Sequence, residues 1–386
     1  MPMICWILSS ALFLYWLGIL VKSARNVRSI PTLADLPVPA DPSELPKLSV
    51  VVPARNEEAA IGACLTSLLA QDYQNIEIIV VNDRSEDRTG AIADEMAASA
   101  PEKITVLHLT ECPEGWLGKC NALQQGANKA TGDFILFADG DVIFSAGTLS
   151  RAVKFLSEEK ADMLAVLPDT LTETFGERVI TLTFIQSFTL AFSPLKAQDD
   201  KSAAFTGVGA FNLIRTTMYR RMHGHRFLKL QVIDDVGLGK LVKCSGGRIR
   251  VAMGTGMVRV RWQQGLWGTV KGLEKNAFAA LHYNPFKGVI AVTGLLFIYW
   301  GPIFGLLFGI LGVKLLCALA WVCQAIMGFG IARAARLNPL YALTGPLGSV
   351  FLALAILRSM ILALKRGGIQ WRDQFYPLAE LKKYRI

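Results

Sequence analysis

Charge is scarce in this chain of 386 residues: only 18% are Asp, Glu, Lys or Arg, against about a quarter in soluble domains. With 52% hydrophobic residues and a mean hydropathy of +0.38, the chain is too apolar for a water-soluble enzyme of this length, so part of it must sit in lipid. The same composition excludes general disorder. Cysteine is sparse as well, seven residues in odd number without a CxxC pair. That excludes a disulfide framework and a zinc cluster, and it suits a reducing compartment. Histidine is rarer still. None of His108, His223, His225 and His282 has ligand spacing with a nearby cysteine, and His223 and His225, in a basic run with Arg220, Arg221 and Arg226, are expected to meet solvent or phosphate. Acidic residues fall short of basic ones, 31 against 40, for a net charge of +9. Partners of opposite sign follow, phosphates or anionic lipid headgroups; nucleic acid fits the charge but not the hydropathy.

Residues 1–21 carry no charge and are followed at once by Lys22, Arg25 and Arg28. A cleaved signal peptide would place its basic residues first, so this is a membrane span whose basic flank is cytoplasmic. Prolines at Pro31, Pro37, Pro39, Pro42 and Pro46 then rule out a helix over 30–46 and make it a linker. Residues 288–332, interrupted only by Lys314, are long enough for two spans of about 20 residues. Residues 339–364, with only Arg358 charged, form a third apolar segment. Three crossings from a cytoplasmic domain would put the tail outside. Yet Lys365, Arg366, Arg372, Lys382, Lys383 and Arg385 are basic and belong inside. The expectation is a cytoplasmic tail and a last segment that is re-entrant or interfacial.

Between these apolar ends, 48–53 (LSVVVP), 76–82 (IEIIVVN), 104–109 and 134–138 (FILFA) read as strands. Helical spacing covers 56–71, 88–100 and 119–130, with Glu57 and Glu58 in the first turn of the first helix. Strands alternating with helices give an α/β domain with a parallel sheet, whose ligands bind at the carboxyl ends of the strands. Carboxylates recur at those ends. Asp83 follows the second strand, where it serves as a turn or cap residue or as a ligand group. Asp139-Gly140-Asp141 follows the fourth. Two carboxylates one residue apart repel unless a cation or proton lies between them, which suits a hard divalent ion such as Mg²⁺ or Mn²⁺, with an Asx-rich turn as the alternative.

PARNEE (53–58), VVNDRS (80–85), GKCNAL (118–123), FADGD (137–141) and VIDDVGLG (232–239), in this order, resemble the motifs of glycosyltransferase family 2. The resemblance covers the chain from about Lys47 to about Asn276. It implies a GT-A, Rossmann-like nucleotide-sugar fold, a donor that is a nucleotide-diphosphate sugar and usually UDP-linked, and inversion at the anomeric centre. The apolar ends and the stretch RVRWQQGLWGTVKGLEKN (259–276) are most similar to membrane-bound members associated with carotenoid and hopanoid glycosylation.

Carried over residue by residue, the resemblance implies that Asp83 binds base or ribose, that Pro53, Arg55 and Glu57 line the nucleoside pocket, and that Lys119 and Asp139 lie near the nucleotide. Asp139 and Asp141 would hold the metal, and Asp235, beside Asp234, would be the catalytic base. Without the resemblance, Lys119 is a solvated helix-start lysine and Asp234-Asp235 an acidic helix start. Arg259, Arg261 and Trp262 would face diphosphate and acceptor. Processive synthases carry Gln three residues before the Arg-Trp pair; Val258 stands there, which disfavours polymerisation.

The expected architecture is an N-terminal transmembrane helix (1–21), a basic, proline-rich linker (22–46), the GT-A domain (47–258), an interfacial segment (259–287), about three membrane helices (288–364) and a basic tail (365–386). Trp262, Trp267 and Phe278 with Lys271 and Lys275 suit the membrane interface or, equally, packing on the domain. The expected function is metal-dependent, inverting hexosyl transfer from a nucleotide-diphosphate sugar to a lipid acceptor by a multi-pass protein of the cell membrane with a cytoplasmic catalytic domain. The alternatives are a polysaccharide or oligosaccharide synthase of the same family and a noncatalytic membrane scaffold.

Overall fold

The structure is a computed structural model that describes residues 2–26, 30–192, 194–372 and 374–384. Met1, Arg28 and Arg385, used above for the first span and the basic flanks, lie outside those residues. The chain divides into two compact units: Ile30–Leu171, Phe192–Arg261 and Lys383–Ile386 form one, and Met1–Ser29, Thr172–Ala191 and Trp262–Lys382 the other.

The first unit is built on strands β1 (Leu48–Ala54), β2 (Ile76–Asp83), β3 (Ile104–Leu109), β4 (Phe134–Phe137), β5 (Val142–Phe144), β6 (Met163–Leu167), β7 (Asp169–Thr170), β8 (Asn212–Arg215), β9 (Ile249–Met253) and β10 (Val258–Val260). Seven of them form one sheet in the order β3-β2-β1-β4-β8-β6-β9. The four strands expected from sequence are its parallel half, while β8 runs antiparallel to both β4 and β6. Side chains alternate across the pleat. Val50 and Val52 of β1 join Leu65 and Leu68 on one face, and Val51 joins Ala122, Leu123 and Ala127 on the other. Both faces are therefore dry, which is why these strands read as continuous apolar runs. β5, β10 and β7 form a second, three-stranded sheet.

One expected helix is shorter than its spacing suggested. It spans Ile61–Leu69 rather than 56–71, because Asn56 takes a left-handed φ of 53° and breaks the helical path. The segment before it is pinned to the turn after β2 instead: the Glu57 N–H donates to Thr89 Oγ1 at 2.7 Å and the Glu86 N–H to Asn56 Oδ1 at 2.9 Å. Glu57 and Glu58 thus belong to a loop at the sheet's carboxyl edge.

The second unit contains the helices Pro2–Asn26, Phe175–Phe192, Pro285–Phe308, Leu311–Ala334 and Gly345–Arg366, with a 3₁₀ turn at Pro339–Thr344 ahead of the last. Five segments here are long and apolar enough to cross a membrane. Phe175–Phe192 is the one absent from the sequence reading, its hydropathy diluted by threonines, Ser187 and Gln186. It makes no net crossing. The chain leaves the seven-stranded sheet before it and rejoins the same sheet at β8 after it, and one sheet lies on one side of a membrane. Within its unit the helix is locked by a 2.7 Å hydrogen bond from Tyr299 Oη to Gln186 Oε1, both buried.

Gly126, on the helix Gly118–Lys129, lets that helix lie directly on β1: a Cβ there would stand 2.4 Å from Val51 Cγ1 and 3.1 Å from Val81 Cγ2. Gly126→Val should therefore destabilise the first unit by about 1–3 kcal/mol, seen as a lowered Tm of the detergent-solubilised protein; an unchanged Tm would mean that the helix does not rest on the sheet.

Candidate active site

The carboxyl ends of β1, β2 and β4 meet one helix start and one glycine loop. Each strand delivers its residues for a simple reason: an apolar run buried on both faces ends where the first polar side chain can reach solvent. β2 ends at Asp83, which is buried and held by both arms of Arg84, Nε to Oδ1 at 2.7 Å and Nη2 to Oδ2 at 3.1 Å. The helix Gly118–Lys129 begins against it, and a Cβ on Gly118 would come within 2.5 Å of Asp83 Oδ2. That contact aims the next residue, Lys119, across the sheet edge. Its Nζ lies 2.6 Å from Asp139 Oδ1 and 4.0 Å from Asp234 Oδ1, and its side chain is 23% exposed.

Asp234 and Asp235 open the helix Asp234–Cys244, and both carboxylate oxygens of Asp235 accept from backbone amides. The Gly209 N–H donates to Oδ2 and the Val236 N–H to Oδ1, each at 2.9 Å. Burial pushes the Asp235 carboxyl above its ordinary range, with Lys119 and these amides opposing the shift. Asp234 is raised in the same way, burial first, with the Lys119 charge working against it and the Asp235 charge with it. Burial alone would lower the Lys119 ammonium, but the negative charges of Asp139, Asp234 and Asp235 more than offset this and hold it well above its usual value. Lys119 is thus a permanent cation among acids.

Asp141 has no comparable cation. Burial, then the charges of Asp139 and Glu57, push its carboxyl up to about 7. The turn that carries it packs beneath β1, where a Cβ on Gly140 would meet Pro53 O at 3.5 Å and Ile61 Cδ1 at 3.4 Å. β10 pairs antiparallel with β5, Val260 opposite Val142, and Arg261 follows Val260 just past the last paired position. Arg259 on the same strand faces solvent. Trp262 belongs to the second unit, its ring centroid 4.4 Å from that of Phe184. Of the residues named from sequence, Lys119 meets Asp139 and Asp234, Asp235 adjoins Asp234, and Asp83 lies against Gly118, next to Lys119. Glu57 and Asp141 are joined to them by charge, and Pro53 by packing. Arg55 is half-buried just after β1.

The sequence reading missed the loop Thr206–Asn212 (TGVGAFN). Gly209 lies among Asp139, Lys119 and Asp235, and a Cβ there would stand 2.7 Å from Asp139 Oδ2; one on Gly207 would stand 1.8 Å from Asp235 O. Only glycine fits at 207, where the obstacle is backbone, whereas a side chain at 209 would force Asp139 to move. Two glycines one residue apart just before the apolar strand β8 were the available signal. His225 also departs from expectation: it is buried at 1% exposure, paired with Tyr219 Oη at 2.8 Å, and burial drives its pKa down to about 3, so it is a neutral core residue.

Residues 49–222 match the family model described as Glycosyl transferase family 2. The chain carries a family 2 glycosyltransferase domain. It is 24% identical over 343 residues to the 4,4'-diaponeurosporenoate glycosyltransferase of Staphylococcus aureus strain MRSA252, a match covering 86% of this chain and 89% of that one. A mannosyltransferase from Pyrobaculum calidifontis, solved with GDP-Man and Mn²⁺, shares the fold at a TM-score of 0.54 and 19% identity, over 92% of this chain and 98% of that one. The sheet described above is thus that of a GT-A glycosyltransferase.

Because Lys119 balances several partly buried carboxylates, removing it leaves them uncompensated. Lys119→Met should lower the stability of this glycosyltransferase by about 1–3 kcal/mol, and Lys119→Met with Asp139→Asn should recover much of the loss. Additive losses in a double-mutant cycle of melting temperatures would show that the pair is not coupled.

Proposed function

We propose that this glycosyltransferase moves a hexose from a nucleotide-diphosphate sugar, UDP-linked in the family resemblance, to a lipid acceptor at the cytoplasmic face of the membrane, with inversion. The observation that carries the reading is the meeting of Lys119, Asp139, Asp234 and Asp235 at the carboxyl edge of the sheet, in a chain that also bears five apolar helices of membrane-spanning length. The staphylococcal relative, named a 4,4'-diaponeurosporenoate glycosyltransferase, supports a lipid acceptor; the GDP-Man bound by the Pyrobaculum neighbour supports a nucleotide sugar.

In this reading Asp83, at the end of β2, receives the nucleoside beside Pro53, Arg55 and Glu57, and Arg261 meets the diphosphate, with Arg259 and Trp262 toward the acceptor. Asp235 takes the proton of the acceptor hydroxyl as its oxygen attacks the anomeric carbon. A raised carboxyl pKa makes it a better proton acceptor than a surface aspartate, and the Gly209 and Val236 amides fix its orientation. Asp234 beside it keeps the local charge negative.

The donor set fits a hard divalent cation. Asp141 is half-buried among like charges that outweigh the Lys119 cation, and among the described residues no three metal-ligating side chains gather into a cage, so two carboxylates would share the ion with the donor's phosphates. Asp139 and Asp141 would hold Mg²⁺ or Mn²⁺, which supplies positive charge to the departing diphosphate.

Incubating membranes with radiolabelled UDP- and GDP-sugars and extracting with organic solvent should carry label into the lipid phase; label appearing instead in a water-soluble polymer would favour the synthase reading. Asp141→Ala should abolish transfer in protein that remains folded and membrane-bound, and a chelator should do the same to the wild type. Full turnover in both would sink the metal assignment. Asp235→Asn should lower turnover by about 10² to 10⁴ with a hydroxyl acceptor, with donor binding kept. A carboxylate acceptor arrives ionised and should lose far less. Collapse of donor affinity with turnover preserved would place the base elsewhere.

A further inference from the structure

The C-terminal residues return to the catalytic unit. The Tyr384 ring lies 4.5 Å from Lys229 Nζ, and its backbone carbonyl accepts from Gln231 Nε2. This short stretch is itself tied to the helix that carries Lys119: the Leu117 N–H donates to Lys229 O at 2.7 Å, and Cys120 Sγ lies 3.5 Å from Gln231 O. Three residues beyond Gln231 the chain reaches Asp234. Tyr384 therefore rests on the one strand of chain that connects the Lys119 helix to the two acids.

That contact fixes a parity. The chain leaves the catalytic unit after Arg261 and rejoins it at Lys383, so it crosses a membrane an even number of times in between. Three apolar segments lie in that interval, and one of them must turn back. Contacts inside the helical unit identify it. Pro285–Phe308 and Leu311–Ala334 are joined by Gly309 and Ile310 alone and run antiparallel, Gly305 against Cys317 near the turn. The 3₁₀ turn Pro339–Thr344 doubles back along the second of them, so that a Cβ on Gly328 would lie 3.1 Å from Ala342 Cα. The following helix, Gly345–Arg366, starts beside Tyr299 and ends beside the beginning of the first: a Cβ on Gly345 would stand 2.7 Å from the Tyr299 ring, and one on Gly288 2.6 Å from Met360 Sδ.

Tyr299 lies about 21 Å along a helix of about 36 Å at 1.5 Å per residue, so the segment enters, turns a little past the midpoint, and returns. The turn and the helix start that follows it are held by local hydrogen bonds, although Leu340 in the turn is 71% exposed. Asn338 Oδ1 accepts from the Leu340 N–H at 3.0 Å, and Pro346 O accepts from Trp300 Nε1 at 3.1 Å and from Ser349 Oγ at 2.6 Å.

We propose that Pro339–Arg366 is a re-entrant segment that brings the tail back to the catalytic side, where Tyr384 is a positioning residue for the Lys229–Gln231 stretch and, through it, for Lys119 and the Asp234-Asp235 pair. The kinetic part rests on the function proposed above; the topological part does not.

The test has two arms. In a protein whose other native cysteines are removed, exposed Cys244 reports the side of the catalytic unit, and Lys383→Cys and Ile310→Cys report the tail and the helix turn. A membrane-impermeant thiol reagent, applied to intact and to permeabilised spheroplasts, should find Lys383→Cys and Cys244 with the same accessibility and Ile310→Cys with the opposite one. Reaction of Lys383→Cys and Cys244 from opposite sides would overturn the re-entrant segment whatever the enzyme transfers.

In the second arm Tyr384→Ala should lower kcat roughly 5- to 20-fold, since small displacements of catalytic groups carry losses up to about 100-fold, while the donor KM stays within about twofold. Tyr384→Phe, which keeps the ring over Lys229, should restore kcat. A fall in Tm with kcat unchanged would make Tyr384 merely structural and overturn its positioning role.

Discussion

The ammonium of Lys119 is the charge on which this site depends. Asp139 and the adjacent pair Asp234-Asp235 arrive from two separate parts of the chain and, brought to one sheet edge, would repel one another at neutral pH. A single cation reaching Asp139 at 2.6 Å and Asp234 at 4.0 Å makes their meeting tolerable. Placing it requires Gly118 against Asp83, Gly209 against Asp139, and the Lys229–Gln231 stretch beneath the helix start. Much of the glycine content around the site follows from that one requirement, because the backbone must approach the carboxylates more closely than any Cβ allows.

The arrangement also divides the acids by role. Asp139 and Asp234 are neutralised by the protein itself, whereas Asp141 faces Asp139 and Glu57 with burial against it, a tension that a ligand cation would relieve. In the function proposed above, the base is preset and the Asp139–Asp141 pair is what an arriving ligand cation completes. That order suits a reaction in which the donor must arrive before the acceptor is activated.

The parallel half of the fold was legible because its strands are buried on both faces and so appear as unbroken runs such as IEIIVV, and the site acids because each ends such a run. The antiparallel half was not, since β8 and β10 are three or four residues long and their apolar residues carry no period of their own. The glycine loop at Thr206–Asn212 escaped because its role is to be absent from space, which only the packed structure shows. The helix Phe175–Phe192 escaped because Glu177 and Gln186 are polar in sequence yet buried, the Glu177 carboxylate accepting from the Gly265 N–H at 2.5 Å and Gln186 Oε1 from Tyr299. His225 misled for the converse reason. Its basic neighbours in sequence are exposed while its own ring turns inward to Tyr219.

That same interior helix changes what trimming the protein can achieve. Removing the N-terminal span and everything after Arg261 would discard four of the five apolar segments, yet the fifth is threaded between β7 and β8 and would remain, stripped of Tyr299 and of the helices it packs on. A shortened chain would thus carry an orphaned greasy loop through the middle of its sheet and would need detergent or a graft in place of residues 172–191. During synthesis the order is equally constrained: β8 emerges after this helix, so the central sheet closes only once the ribosome has delivered a segment that belongs to the helical unit.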